Sequence, residues 1–172
     1  MFRCNKLSNI LAVAIIVMVA LPITCIAGLK PGDKLPDLAG FHLEGKLPDD
    51  LKGKVILLDF WASWCPPCKA SFPAMEELKT KYGSEGFSII AVSVDEKREN
   101  MERFLSETKV SFTTLRDAQQ KLVAAVDVPT MPTSYLIDRS GTVRFVHVGF
   151  QSGQTPKDYA KEIEQLLKEG KP

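Results

Sequence analysis

The stretch LLDFWASWCPPCKASFP, residues 57–73, begins as an apolar run, ends as the opening of a helix, and sets two cysteines at the junction with two prolines between them. Its upstream part, Val55 to Phe60, is short and apolar and follows the turn Lys52-Gly53-Lys54, so it reads as a fully buried strand. Downstream, Phe72, Met75, Leu78 and Tyr82 recur along one side of a helix expected from about Pro66 to Tyr82. Cys65 therefore stands where a strand hands over to a helix. Unpaired backbone N–H groups and the positive end of the helix dipole favour an anion there. Pro66 and Pro67 suit a first turn that has no intrahelical partner for an N–H, and their fixed φ stiffens it. Cys68, one turn on, faces inward and lies close enough to close a disulfide with little motion. A nucleophile and a resolving thiol are the parts that exchange through a mixed disulfide requires. A static structural bridge is the competing reading, but so small a loop constrains the unfolded chain little.

The same cysteine spacing can also serve a zinc site, so compartment and thiol count matter. Arg3 and Lys6 give a positive start, Ile10 to Leu21 is an unbroken apolar run, and Cys25-Ile26-Ala27 closes it in an A-x-A-like pattern. That is the layout of an export signal. Three fates follow: cleavage after Ala27, retention as an anchor, or lipidation at Cys25. Ile10 to Gly28 nearly reaches the roughly 20 residues that a membrane span requires. Pro22, standing where a lipoprotein signal has Leu, argues against lipidation. Cys4 and Cys25 fall in this leader, so the exported part keeps only Cys65 and Cys68. That count excludes a disulfide-stapled scaffold and a four-thiolate metal site. His42 and His147 are too scattered to complete one, so neither metal nor cofactor is expected. A formal net charge of +1 with 25% charged residues leaves no electrostatic footprint for nucleic acid. Proteins and small molecules remain as partners.

The residues beyond the leader suffice for one domain with its own core, expected over residues 29–170, with residues 1–27 as export signal or anchor. Phe87 to Val94 reads as a second buried strand. Met101, Phe104, Leu105 and Thr108 mark an amphipathic helix, and Val110 to Leu115 a short strand after it. Asp117-Ala118-Gln119-Gln120 resembles a capping box opening a helix to about Val126. Thr133 to Asp138 and Thr142 to Val148 form a hairpin across Arg139-Ser140-Gly141, and Tyr159, Ile163, Leu166 and Leu167 line a last helix. The class is α/β: a mixed central sheet with helices on both faces.

Trp64-Cys65-Pro66-Pro67-Cys68 within Asp59-Phe60-Trp61-Ala62-Ser63 resembles a thioredoxin-fold active site. The wider chain resembles the exported TlpA/ResA-type thiol-disulfide oxidoreductases, which include cytochrome c maturation reductases. Four further stretches carry the likeness: Pro31 to Asp37, Leu51 to Lys54, Ala91 to Asp95, and Val128 to Asp138. The resemblance implies a thioredoxin-like fold with an inserted helix and strand near Lys97 to Leu115. It also implies that Pro132 is the cis proline facing the cysteines, with Pro129 as an ordinary trans residue. A cis Pro132 would bare the Met131 backbone for an extended client segment to pair with, like an added strand. Pro73 is expected inside the active-site helix, where it would kink the helix.

Two departures bear on mechanism. Ser71 stands where many maturation reductases carry a glutamate. Asp59 matches the buried aspartate of thioredoxin, where relatives of the maturation type often have asparagine. A carboxylate in a desolvated strand holds its proton more tightly and becomes a candidate acceptor for the Cys68 proton. At a solvent-exposed strand end it would be an ordinary carboxylate. Trp64 is read as an apolar wall for client docking, with Trp61 as either core or flank, and Lys69 as a helix-surface lysine.

The expected function is a thiol-disulfide oxidoreductase of the cell envelope, periplasmic and tethered to the inner membrane. It would be a monomer that reduces disulfides of exported proteins or apocytochromes and is recharged by a membrane electron donor of the thiol-reducing type. Cys65, Cys68 and Asp59 are its catalytic candidates; Trp64, Pro66, Pro67, Met131 and Pro132 are its candidates for binding substrate. Two alternatives stand beside it: a peroxiredoxin-like peroxidase, suggested by the Pro31-Gly32 opening although Ala62 replaces the expected threonine, and a redox-inert binding module using the Met131-Pro132 groove.

Overall fold

The computed structural model describes residues 28–170. The expected export signal, with Cys4 and Cys25, lies outside the described residues. Among those described, no helix is long and apolar enough to cross a membrane.

The buried run becomes β1, Val55–Trp61, with every residue buried. It pairs in parallel with β2, Phe87–Ser93, and antiparallel with β4, Thr133–Ile137. β3, Thr113–Arg116, joins β2 in parallel, and β5, Val143–Val148, joins β4 antiparallel. The mixed five-stranded order is β3-β2-β1-β4-β5. Sitting at the centre, β1 is covered on both edges and both faces, which explains why its sequence is apolar throughout rather than alternating.

Alternation along β1 still decides which layer each side chain enters. Leu57 and Trp61 pack with α1, Pro66–Tyr82, with α2, Arg98–Thr108, and with α4, Thr155–Lys168. Ile56, Leu58 and Phe60 pack on the opposite face against α3, Lys121–Ala125, and the short turn Leu38–Phe41. Asp59, between Leu57 and Trp61, points to the α1 and α4 side. The Pro31 to Asp37 segment lies along the start of β5, exchanging backbone bonds through Gly32 and Asp33 with Val143.

α1 matches its expected bounds and runs through Pro73 without interruption. Trp61, Phe72, Phe104 and Phe112 pack ring on ring at 4.7–5.4 Å, joining the inserted α2 and the segment before β3 to the active-site helix. β3 starts at Thr113 rather than Val110, because the backbone N–H of Ser111 goes to Glu76 on α1 instead of into the ladder. The expected capping box also differs. The helix opens only at Lys121, after Gln120 in the left-handed region (φ 56°), and the Asp117 carboxylate accepts from the N–H groups of Lys121 and Val123 from outside the helix. The β4–β5 hairpin is as expected. Its turn hangs on Asp138, which accepts from the N–H groups of Ser140 and Thr142, and on Gly141, whose φ of 79° suits glycine.

Candidate active site

Cys65 is the N-cap of α1, in extended conformation, and is joined to Cys68 as a disulfide with the Cα atoms 5.3 Å apart. Because Pro66 and Pro67 have no N–H, the first amide that α1 can offer is that of Cys68, and it points at Cys65 Sγ at 3.3 Å. The sequence thus aims the helix end at one sulfur. Both cysteines are buried, while Trp64, Pro66 and Pro67 around them are exposed. Trp64 is 66% exposed, whereas Trp61 is wholly buried core. Trp64 overhangs a cleft of about 680 Å³, shared with Glu96, Lys97, Asn100 and Gln120.

The approach loop to Cys65 is pinned from β2. Asp95, fully buried just beyond that strand, accepts from the Ser63 N–H at 3.0 Å, from Ser63 Oγ at 2.7 Å and from Ser93 Oγ at 2.8 Å. On the far side of the cysteines, the Met131–Pro132 peptide is cis and Pro132 is buried. Met131 packs against the apolar cluster that contains both cysteines. Neither its N–H nor its C=O has a hydrogen-bond partner among the described residues. Ser71, at the position of the absent glutamate, is buried and spends its hydroxyl on the Cys68 carbonyl.

Asp59, on the α1 and α4 side of the sheet, is 1% exposed, so it is not a carboxylate at a solvent-facing strand end. Its Oδ1 accepts from Ser134 Oγ at 2.6 Å, and Ser134 Oγ lies 2.7 Å from the Tyr159 hydroxyl. Oδ2 has no partner among the described residues. Burial raises the Asp59 carboxyl to about 7, against a smaller downward pull from Ser134. A carboxylate poised there can accept a proton at neutral pH and give it back.

Lys69 is exposed, its ammonium 5.6 Å from the Phe104 ring centre. His42 is exposed, and His147 is paired with Glu162 on the α4 side; neither is near a metal-binding cluster of the described residues. Asp95, Ser134 and Tyr159 were not singled out as functional from the sequence. A signal for Ser134 existed: alternation in Thr133-Ser134-Tyr135-Leu136-Ile137 puts a hydroxyl on the same face as Leu136, where only apolar groups are otherwise expected.

The Redoxin family model matches residues 30–163. The chain is 36% identical over 137 residues to the thiol-disulfide oxidoreductase ResA of Bacillus thuringiensis, covering 78% of this chain and 79% of the relative. It is 34% identical over 145 residues to the thioredoxin-like protein YneN of Bacillus subtilis, covering 81% and 80%. A crystal structure of a DsbE-type thiol:disulfide interchange protein from Chlorobium tepidum superposes with a TM-score of 0.75 at 40% identity, covering 81% of this chain and 99% of that one. These likenesses favour disulfide exchange over the peroxidase and the inert module.

Proposed function

The chain belongs to the redoxin family and is a thiol-disulfide oxidoreductase; we propose that it works in the cell envelope as a reductant of disulfides in exported proteins or apocytochromes. The observation that carries this reading is a disulfide-forming cysteine pair at the start of α1, on the sheet face into which Asp59 also projects, buried and with one oxygen unpaired among the described residues. The helix end stabilises the Cys65 thiolate, which attacks a client disulfide, forms the mixed disulfide and releases one client thiolate. Cys68 passes its proton to Asp59, attacks Cys65 Sγ, and releases the second client thiolate. Two electrons have then moved from the dithiol to the client, and the Cys65–Cys68 disulfide is reduced again by a membrane donor of the thiol-reducing type. Trp64, Pro66 and Pro67 offer the client an exposed apolar rim, and Met131 offers an unpaired backbone for an extended segment beside the buried Pro132.

In this reading residues 1–27 export the protein and tether it to the inner membrane, and residues 29–170 form one thioredoxin-like domain acting as a monomer. A protein beginning at Gly28 in the soluble periplasmic fraction would exclude the tether.

Two experiments test the rest. The Cys65–Cys68 reduction potential should fall near thioredoxin's roughly −270 mV; a value near DsbA's roughly −120 mV would make it an oxidant. Cys68→Ser should trap mixed disulfides with exported proteins, while Cys65→Ser traps few. Equal trapping would overturn the division of labour between the two thiols.

A further inference from the structure

The buried polar line behind Asp59 is not explained by packing alone. Asp59 and Ser134 are direct partners in the antiparallel β1–β4 ladder, and both side chains enter the α1 and α4 layer. Ser134 is wholly buried. It has a single hydroxyl proton, and the ionised carboxylate 2.6 Å away has none, so Ser134 donates to Asp59 Oδ1. That proton is then spent. The 2.7 Å contact to Tyr159 must therefore run the other way, with the Tyr159 hydroxyl donating to Ser134. Burial raises the Tyr159 hydroxyl far above neutrality, so it stays a donor throughout the working range.

We propose that Ser134, held in place by Tyr159, is a positioning residue for the exchange: it occupies Asp59 Oδ1, leaves Oδ2 to take the Cys68 proton, and sets the pH at which that transfer operates. The proposal rests on Asp59 being the proton acceptor. Hydrogen bonds donated to a carboxylate favour its ionised form, and donors aligned head to tail reinforce one another. Burial acts in the opposite sense on the same carboxyl. Ser134 thus keeps Asp59 ionisable near neutral pH in a site that would otherwise hold it protonated.

The other groups around the pair do not compete for this role. On β2 the partner of Asp59 is Ala91, and the titratable groups that α1 places in the core of this layer are Cys65, Cys68 and, at its far end, Tyr82. From α4 comes Tyr159. Beside it stands His147 of β5, the direct ladder partner of Ser134, its ring centre 4.8 Å from that of Tyr159 and its Nε2 2.7 Å from Glu162 Oε2. The imidazole's hydrogen bond goes to Glu162 rather than to Ser134 or Asp59. In the step concerned, Cys68 gives its proton to Oδ2, the sulfur electron pair forms the bond to Cys65 Sγ, the bond from Cys65 to the client sulfur breaks, and the client leaves as a thiolate.

The test follows the full-length, reduced protein reacting with the aromatic disulfide 5,5′-dithiobis(2-nitrobenzoate). The first phase releases one coloured thiolate on attack by Cys65, and the second releases another when Cys68 resolves the mixed disulfide. The second-phase rate is recorded from about pH 5.5 to 9.5. Ser134→Ala should move its midpoint up by about one pH unit, slow it about fivefold at pH 7, and converge with the parent near pH 9. In the Asp59→Asn background the same substitution should do nothing further. If Ser134→Ala fails to fold, Ser134→Thr and Ser134→Val decide, since they share a shape and differ by the hydroxyl: the threonine variant should keep the parent midpoint and the valine variant should shift it. An unmoved midpoint in Ser134→Ala, with Asp59→Asn slow, would reduce Ser134 to a tie between strands and leave Asp59's role standing. Unchanged kinetics in Asp59→Asn would remove the premise itself.

Discussion

Asp59 in β1 and Asp95 just beyond the end of the neighbouring parallel strand β2 are both buried, yet they are provided for in opposite ways. Asp95 receives three donors from Ser63 and Ser93, and both of its oxygens are engaged. Asp59 receives one donor and keeps an oxygen with no partner among the described residues. A fully satisfied buried carboxylate behaves as a fastener, here holding the segment that carries Trp64 and Cys65. A half-satisfied one stores the cost of its own ionisation and can exchange a proton. In the proposed mechanism the fold thus divides rigidity and reactivity between two carboxylates, Asp95 for the loop and Asp59 for the Cys68 thiol.

The largest expected effect that could break this contrast is on stability against pH. Asp59 holds its proton in the folded protein up to about 7, against 3.8 for an unperturbed carboxyl. Folding is therefore favoured by this group below about pH 4, and that contribution is lost as the pH rises toward 7 and beyond. The gap corresponds to roughly 4 kcal/mol. Urea unfolding of the oxidised protein and of Asp59→Asn should diverge by about that much between pH 4 and pH 8, the variant being favoured at the alkaline end. Parallel curves would mean that Asp59 does not titrate in the folded state.

Next in size is Asp95→Ala, which strands the Ser63 and Ser93 donors and should cost about 3 kcal/mol at pH 7. The two aspartate substitutions should thus have opposite signs. A stabilising Asp95→Ala would erase the distinction. Third, Asp59→Asn should slow the Cys68 resolution step at pH 7 by roughly tenfold or more, the deficit shrinking as rising pH ionises the thiol directly. A deficit independent of pH would point to altered packing rather than lost proton transfer. The smallest effect belongs to Trp64→Ala. Being 66% exposed, Trp64 supports little of the fold, so stability should change by less than about 0.5 kcal/mol, while KM for a protein client rises about threefold. A large loss of stability would place Trp64 with the fastened loop instead of the client surface.

The helix-start dithiol, its two prolines, the buried central strand, the hairpin and the active-site helix were all legible in the sequence, because each depends on local spacing and on backbone rules that act within a few residues. The inserted strand and the helix after it were legible only approximately. Their bounds moved because two carboxylates took up backbone donors that local pattern assigns elsewhere: Glu76, 35 residues from Ser111, and Asp117, which reaches Lys121 and Val123 from outside the helix.

By itself the sequence determined that Cys65 would cap a helix, that Cys68 would sit one turn inside it, and that Asp59 would stand in an apolar strand six residues before the first thiol. Only the tertiary structure decided what each carboxylate meets. The donor to Asp59 comes from β4, 75 residues away, and is anchored by a tyrosine on α4; the donors to Asp95 come from the cysteine loop, 32 residues before it, and from Ser93 at the end of β2. Periodicity tells which way a side chain points, but whether a buried oxygen finds a donor depends on which strand lies alongside, and strand order is settled by packing of the whole sheet.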